Sequence, residues 1–193
     1  MTAVREEARR QLQQYLARFP AERERLAALA AQLDEDAADP LARSNMRGHV
    51  TTSALVLDPT LSHLLLIHHR VIGRWLQPGG HHEAGQSLWD SALREAAEET
   101  GVTALGAHPV WGRDLPLDID SHPIAANPRK GEAAHWHHDY AYLVIAPMRA
   151  GALAPQLAEV HAAAWRPLGE YLAGNDEPRF RGLGAKLQAL RER

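Results

Sequence analysis

Residues 79–102 constrain the fold most, because they combine a double glycine with a short helix that carries an acidic face. Ser87, with Asp90 three residues later, is typical of a helix start, and Gly101 is typical of a helix end. The sequence therefore predicts a helix between these points, directly after a glycine loop. Its apolar residues fall on one stripe, which predicts the buried face: Trp89, Leu93, Ala96 and Ala97.

Three carboxylates occupy another face of this helix. Glu95, Glu98 and Glu99 stand at positions i, i+3 and i+4, so their side chains lie side by side. Each such like-charge pair destabilises a helix by roughly 0.2–0.5 kcal/mol, and the helix dipole disfavours acids near the C-terminal end. A bound divalent cation would offset this, since clustered carboxylates suit Mg²⁺ or Mn²⁺. The alternative is an ordinary solvated acidic face.

The whole segment resembles the signature of the Nudix hydrolase family. That signature is a glycine, five residues, Glu, seven residues, Arg-Glu, an aliphatic, any residue, Glu-Glu, any residue, Gly and an aliphatic. Gln86 departs from it, since the family has Glu there, and Ala96 is a small version of the aliphatic residue. The strand pattern extends the resemblance to residues 48–172, and residues 1–45 lie outside it. The matching residues are Gly80, Arg94, Glu95, Glu98, Glu99, Gly101 and Val102.

The resemblance implies an α/β fold, a Nudix-type α/β/α sandwich with a mixed sheet. It also implies hydrolysis of a nucleoside diphosphate linked to another group, by attack of water on phosphorus. We expect residues 46–193 to form this domain and residues 1–45 to form an N-terminal helical extension. The expected small-molecule partner is therefore a nucleoside diphosphate derivative.

The resemblance also implies a cofactor and its ligands. Mg²⁺ or Mn²⁺ is expected on Glu95, Glu98 and Glu99, with the backbone carbonyl of Gly80. Arg94 is expected to orient Glu95 by hydrogen bonding, and Glu98 and Arg94 count among the catalytic residues.

Gln86, in place of the family's Glu, weakens the expectation that these acids bind a metal ion but does not remove it. Its amide accepts a hydrogen bond from Arg94 but loses the charge-assisted part of that bond, which Glu83 could replace. We expect reduced metal affinity, and a catalytically inactive homologue stays open.

Two further acids are candidates for the general base. Glu132 lies in a loop in which Arg129 and Lys130 could meet phosphate, and Glu159 matches a late acid of the family. Each could instead be an ordinary surface carboxylate.

The chain has 12 histidines, which the signature does not explain. In an extended strand His135, His137 and Asp139 point to the same side. We hypothesise that a histidine cluster shapes the substrate pocket or holds an additional transition metal such as Zn²⁺ or Mn²⁺. The alternative is a set of pocket-lining or core histidines hydrogen-bonded to nearby aspartates. The cluster consists of His81, His122, His135 and His137, with Asp120 or Asp139.

Composition argues against several kinds of partner and site. The net charge of −3 gives no basic surface for bulk nucleic acid, and the absence of cysteine excludes disulfides and thiolate metal sites. We expect a cytoplasmic protein without a membrane anchor, because no apolar run approaches the ~20 residues of a membrane span. A homodimer is left open.

Two competing functions are considered. One is a non-catalytic Nudix domain that binds a nucleotide-like ligand as a sensor. The other is an enzyme like isopentenyl diphosphate isomerase, which the absence of a catalytic cysteine disfavours.

Periodicity and turn residues predict the remaining elements. Residues 3–36 form two helices, with Pro20 at the first position of the second helix. The apolar faces predict that this pair packs on the main domain or on a second subunit. A hairpin is expected around the turn at 58–60. The other strands are expected at 74–77, within 102–117, at 140–145 and at 160–165, and the last helices at 168–172 and 180–191.

Overall fold

The structure, a computed structural model, describes residues 2–128, 131–149, 153–156, 160–175 and 178–192. The helices are α1 (Ala3–Arg18), α2 (Ala27–Glu35), α3 (Leu88–Thr100), α4 (Leu168–Ala173) and α5 (Pro178–Arg191). The strands are β1 (Gly48–Leu57), β2 (His63–His69), β3 (Trp75–Leu76), β4 (Gly79–His81), β5 (Gly106–Ala107), β6 (Asp118–Ile124), β7 (His135–Ile145) and β8 (Val160–Pro167).

Within the described residues, eight strands form one mixed sheet. The main order is β3-β2-β1-β7-β5, with β4 beside β1, β6 beside β7 and β8 beside β2. The central strands β1 and β7 run parallel, with His49 opposite His137, whereas the other strand pairs are antiparallel. Because β1 and β7 are parallel, the residues that begin both strands meet at the same end of the sheet.

Helices cover both faces of the sheet, because its central strands carry apolar side chains on both sides. Val50 and Val56 of β1 pack in one apolar cluster with α1, α2 and α3. Leu55 and Leu57, which alternate with them, pack in a second cluster with α4 and α5. The predicted α/β sandwich with a mixed sheet is confirmed.

The N-terminal helices pack against this sheet. Tyr140 Oη donates to the Ala8 carbonyl at 3.0 Å, and Tyr142 Oη donates to Gln11 Oε1 at 2.5 Å. Since a buried polar group without a partner costs about 1–3 kcal/mol, both bonds hold α1 in place against β7. Of the two surfaces considered for the helical pair, the structure shows packing on the main domain.

A network of ion pairs ties the N-terminal region, β6 and α5 together. Asp118 is buried and accepts from Arg179 at 2.8 Å and from Lys186 at 2.9 Å. Asp120 pairs with Arg25 at 2.9 Å and with Arg179 at 3.0 Å. Because charges taken from water need partners, these bonds make β6 depend on the turn before α2 and on α5, near the two ends of the chain.

Several expected boundaries differ from the structure, including β7, which begins at His135 and not at residue 140. Pro20 begins a separate 3₁₀ turn at Pro20–Glu22, and α2 begins only at Ala27. The assignment of Pro20 to α2 was wrong, because proline fixes its own φ but not how far a helical turn continues. The short β5 lies in the interval where one or two strands were expected, whereas the longer β6 was not predicted.

Among the helices of the described residues, none combines the length and the apolar character that crossing a membrane requires.

Candidate active site

The caps of α3 form as the sequence predicts. Ser87 Oγ accepts from the Asp90 backbone N–H at 3.1 Å, and Gly101 ends the helix in the left-handed region with φ 76°. A side chain at Gly101 would be strained there, and its Cβ would lie 2.7 Å from the Ala154 backbone nitrogen. The helix end is therefore fixed both by its backbone conformation and by a close neighbour.

The three glutamates of α3 lie in different environments. Glu98 is the most exposed, with 44% of its side chain accessible, whereas the side chain of Glu95 is only 12% accessible. Glu99 is buried and accepts from the Gly79 backbone N–H at 2.9 Å. Glu99 turns toward the glycine loop, so the three acids differ in how open they are to solvent.

Arg94 holds two of these acids. Its Nη2 donates to Glu95 Oε1 at 2.8 Å, and its Nη1 donates to Glu98 Oε2 at 2.8 Å. Burial by itself would lower the pKa of Arg94, but the charges of Glu95 and Glu98 outweigh it and raise that pKa. Arg94 therefore stays charged and reduces the repulsion between the two carboxylates.

The same guanidinium also reaches the loop before α3. Arg94 Nε donates to Gln86 Oε1 at 3.3 Å and lies 3.5 Å from Glu83 Oε2, while Nη2 donates to the His81 carbonyl at 3.1 Å. Both side chains that the sequence offered as braces for Arg94 are thus in place. Because Gln86 is neutral, its bond is weaker than a charged one.

Gly80 is required by the position of Glu95. A Cβ on Gly80 would lie 2.6 Å from Glu95 Cδ and 2.8 Å from Glu95 Oε2, and it would overlap Oε1 as well. The carboxylate thus lies directly on the glycine backbone, which only a residue without a side chain permits.

A group of histidines lies at the end of the sheet where β1 and β7 begin. His135 Nε2 is 3.2 Å from His137 Nε2, and His81 Nε2 is 3.1 Å from His49 Nε2. The ring of His49 lies 4.9 Å from that of His135 and 4.7 Å from that of His137, centre to centre. We call His49, His81, His135 and His137 the histidine cluster.

Burial lowers the pKa of three rings of this cluster. It lowers the pKa of His81 to about 4 and the pKa of His137 to about 3, and the other rings of the cluster add to the effect in both cases. Burial also lowers the pKa of His49. His49, His81 and His137 are therefore neutral at physiological pH, which is the form that binds metal ions.

The other predicted members lie beside the histidine cluster, with partners of their own. Asp139 is buried and accepts from Thr51 Oγ1 at 3.1 Å and from Ser53 Oγ at 2.5 Å, and burial raises its pKa. His122 Nδ1 lies 2.9 Å from Asp120 Oδ2, and the His122 ring is 5.9 Å from that of His137.

The carboxyl group of Asp120 has a strongly shifted pKa. Burial alone would raise it, but the hydrogen bond from His122 and the charge of Arg179 outweigh burial and lower the pKa of Asp120 to about 2. Asp120 is therefore ionised and belongs to the ion-pair network.

Comparison with known proteins decides the family. The model of the NUDIX domain matches residues 47–187, which is most of the chain. The chain belongs to the Nudix family. A curated relative, the "Probable DHNTP pyrophosphohydrolase" of Lactococcus lactis subsp. cremoris (strain MG1363), is 34% identical over 95 residues. That alignment covers 49% of this chain and spans only about half of the relative, 52% of its length.

Solved Nudix structures share the fold. A NUDIX family hydrolase from Clostridium perfringens has a TM-score of 0.53 at 19% identity, covering 76% of this chain and 99% of that one. A binary complex of the Ap4A hydrolase of C. elegans has a TM-score of 0.50 at 17% identity, covering 73% and 96% respectively. At such identities the similarity establishes the fold alone.

The candidate bases of this Nudix chain are placed only in part. Glu132 bonds Arg43, whose Nη2 and Nε lie 2.7 and 3.2 Å from Glu132 Oε1. Glu159, Arg129 and Lys130 lie outside the described residues.

Sequence reasoning missed one member of the site, His49. Its position at the start of a predicted strand gave no reason to single it out. Only the parallel pairing of β1 with β7 brings it opposite His137. The sequence does place histidines at the start of two buried strands. They would have indicated a site only if the pairing of the two strands had been known.

Proposed function

We propose that this chain is a divalent-metal-dependent pyrophosphohydrolase that acts on a nucleoside polyphosphate or a similar diphosphate. The observation that carries the proposal is the arrangement of the α3 acids around the glycine loop: Arg94 bonds Glu95 and Glu98, Glu95 lies against Gly80, and Glu99 accepts from the Gly79 backbone N–H. We assign the activity to residues 46–193, with residues 1–45 as a helical extension.

The residues present fit a hard divalent cation. Carboxylate and carbonyl oxygens are the ligands that Mg²⁺ and Mn²⁺ prefer, and α3 and the adjoining loop offer both. The Arg94 bonds engage Oε1 of Glu95 and Oε2 of Glu98. A carboxylate has about four lone-pair sites, so these bonds are compatible with a cation beside them.

Glu95, Glu98 and Glu99 would hold the ion, together with the carbonyl of Gly80. When bound, Mg²⁺ or Mn²⁺ would supply charge neutralisation for the diphosphate and a lower pKa for the attacking water. Arg94 keeps two of the acids in position, and its bonds must adjust as those acids bind the ion.

The proton acceptor must be an acid that reaches the attacking water. Glu98 has the most accessible side chain of the α3 acids, which favours it in this role. Glu132 would first have to leave Arg43. Glu159 stays a candidate from its sequence position alone.

The family and the names of two relatives support a substrate class. The curated relative is named for DHNTP and a structural neighbour for Ap4A, and both names denote phosphoanhydrides. We therefore propose a substrate in which a pyrophosphate bond joins a nucleoside-like group to phosphate or to a second group.

The proposal is tested by turnover of a substrate panel with Mg²⁺ or Mn²⁺. The panel contains DHNTP, Ap4A, ADP-ribose, NADH, nucleotide sugars and oxidised nucleoside triphosphates, and the release of phosphate, pyrophosphate or nucleotide products is measured. Glu98→Gln removes one charge at nearly constant side-chain shape. The matched control is Glu170→Gln, which makes the same change at an exposed residue of α4. We expect hydrolysis by the parent and the control, and a loss of about 10²–10⁴-fold in the Glu98 variant.

Two outcomes would contradict the proposal. Equal turnover by Glu98→Gln and Glu170→Gln would mean that the α3 acids take no part in the reaction. Tight binding of a panel compound without hydrolysis in either metal would instead favour the nucleotide-binding sensor.

A further inference from the structure

Three strands bring the histidine cluster together at one end of the sheet. His135 and His137 alternate along β7, so both side chains leave the same face of the sheet. His49 of β1 lies opposite His137 in the parallel pair, and His81 of β4 lies opposite Thr51 of β1. The cluster therefore rests on paired backbone rather than on mobile loops.

The donor atoms lie at distances that suit a metal ion. The ligand nitrogens of His49, His135 and His137 all lie within 4.8 Å of one another. In the part of the chain that the structure describes, this is the one group of three or more ligand-type side chains that meets this distance. Zn–N bonds of about 2.0–2.1 Å in a tetrahedron place two nitrogens roughly 3.3–3.4 Å apart. The His135–His137 separation of 3.2 Å is close to that value.

In two rings, the hydrogen-bond partner of Nδ1 determines that Nε2 carries the lone pair. His49 Nδ1 lies 3.3 Å from the Asn45 carbonyl oxygen, and His135 Nδ1 lies 2.7 Å from the Ala133 carbonyl oxygen. A carbonyl only accepts, so both Nδ1 atoms carry the hydrogen. In a neutral ring Nε2 then has a free lone pair, and in both residues Nε2 is the atom that faces the cluster.

This arrangement is the usual one behind metal-binding histidines. The outer N–H of such a ring donates to a backbone carbonyl or a carboxylate, which fixes the tautomer and the ring orientation. Without an ion, the short contacts are explained by N–H···N bonds, with His81 donating to His49 and His137 donating to His135. That scheme uses His137 as an Nε2–H donor, whereas a metal requires its lone pair.

We propose that His49, His135 and His137 form a binding site for a transition-metal ion of the zinc type. Imidazole nitrogens suit Zn²⁺, Cu²⁺, Fe²⁺ and Ni²⁺, whereas the carboxylates of α3 suit Mg²⁺ and Mn²⁺. The two sites are therefore chemically distinct. His81 lies beside this group, with its Nε2 3.1 Å from His49 Nε2.

The two sites are also neighbours. The carbonyl of His81 accepts from Arg94, which bonds Glu95 and Glu98, while the His81 side chain contacts His49. An ion held by the three histidines would thus lie at the edge of the proposed hydrolytic site. The test uses metal binding rather than turnover, so its result does not depend on the proposed hydrolysis.

The experiment uses the full chain without a histidine tag. Zn²⁺ is titrated against a competing chelator, and Co²⁺ is added as a probe because tetrahedral Co²⁺ absorbs visible light. We expect one ion per chain, which excess Mg²⁺ does not displace and which Glu98→Gln retains. In His137→Gln we expect affinity to fall by more than the ~10–100-fold seen when a residue behind a ligand is removed. The control is His161→Gln, an exposed histidine of β8, with unchanged affinity.

A second measurement on the unmutated chain guards against misfolding of the variant. Long-range ¹H–¹⁵N spectra of the imidazoles report which ring nitrogens are protonated and which bind an ion. We expect Zn²⁺ to shift the Nε2 signals of His49, His135 and His137 and to leave that of His161 unchanged. Absence of a stoichiometric ion, or the same affinity in His137→Gln and His161→Gln, would overturn the proposal.

Discussion

Replacing Gly80 by alanine should displace the Glu95 carboxyl group and leave the stability of the fold almost unchanged. The backbone at Gly80 does not adopt a positive φ, so alanine is allowed by its conformation. The new Cβ would lie 2.6 Å from Glu95 Cδ, whereas ordinary carbon contacts are about 3.5–4.0 Å. The carboxyl group must therefore retreat by roughly 1 Å.

The effects on activity and on folding should differ in size. The atoms in the way are the far end of a flexible side chain, so rotation of Glu95 relieves the overlap at little loss of stability. A misplacement of about 1 Å in a catalytic group can lower the rate ~10²-fold, which corresponds to about 2.7 kcal/mol. We expect this loss in kcat/KM, and weaker Mn²⁺ binding, with an almost unchanged melting temperature.

The assay compares Gly80→Ala with Gly106→Ala. A Cβ at Gly106 of β5 would meet no heavy atom within 4 Å, so that variant controls for replacement of a strand glycine. Mn²⁺ affinity is measured by the loss of the free-ion electron paramagnetic resonance signal, and stability by thermal unfolding. Parent-like Mn²⁺ affinity and turnover in Gly80→Ala would refute the argument that the glycine holds Glu95 in a metal site. A large fall in melting temperature would refute the claim that the overlap is relieved locally.

Three further predictions concern the braces, the ion-pair network and the helix end. Gln86→Glu should hold Arg94, which positions two of the α3 acids, through a charge-assisted bond to Nε that is worth about 1 kcal/mol more, giving roughly fivefold tighter Mn²⁺ binding in titrations; weaker binding would contradict this. Because the pKa of Asp120 is lowered to about 2 in the folded state, its contribution to stability is complete above its ordinary pKa and is lost as pH falls toward 2. Between pH 5 and 2, the unfolding free energy measured with denaturant should fall by about 2 kcal/mol less in Asp120→Asn than in the parent. Identical pH profiles of the two proteins would exclude this contribution of Asp120. Gly101→Ala should lower the unfolding free energy by at least ~1–2 kcal/mol, since φ is positive there, and an unchanged denaturation midpoint would argue against a strained cap.

The α3 region was predictable because its signals are local. A cap, a glycine stop and the spacing of acids act within one or two helical turns, so Ser87, Gly101 and the bond from Arg94 to Gln86 follow from neighbouring residues. The burial of Glu99 did not follow, because it depends on where the glycine loop passes over the helix. The polar strand β6 was missed for a related reason. Its aspartates are satisfied by cations from distant parts of the chain, and no local alternation of apolar residues marks it.

The amino-acid sequence alone determined the helix with its three acids, the glycine loop before it and membership of a fold class. These features depend on residues close together in the chain, whose spacing fixes their relative geometry. Only the tertiary structure decided that His49 meets His135 and His137, because the parallel pairing of β1 with β7 is set by the packing of the whole sheet. Likewise, Asp118 and Asp120 find Arg25, Arg179 and Lys186 only when both ends of the chain fold against the same strand. Contacts between residues so far apart depend on sheet order and register, which no short stretch of sequence contains.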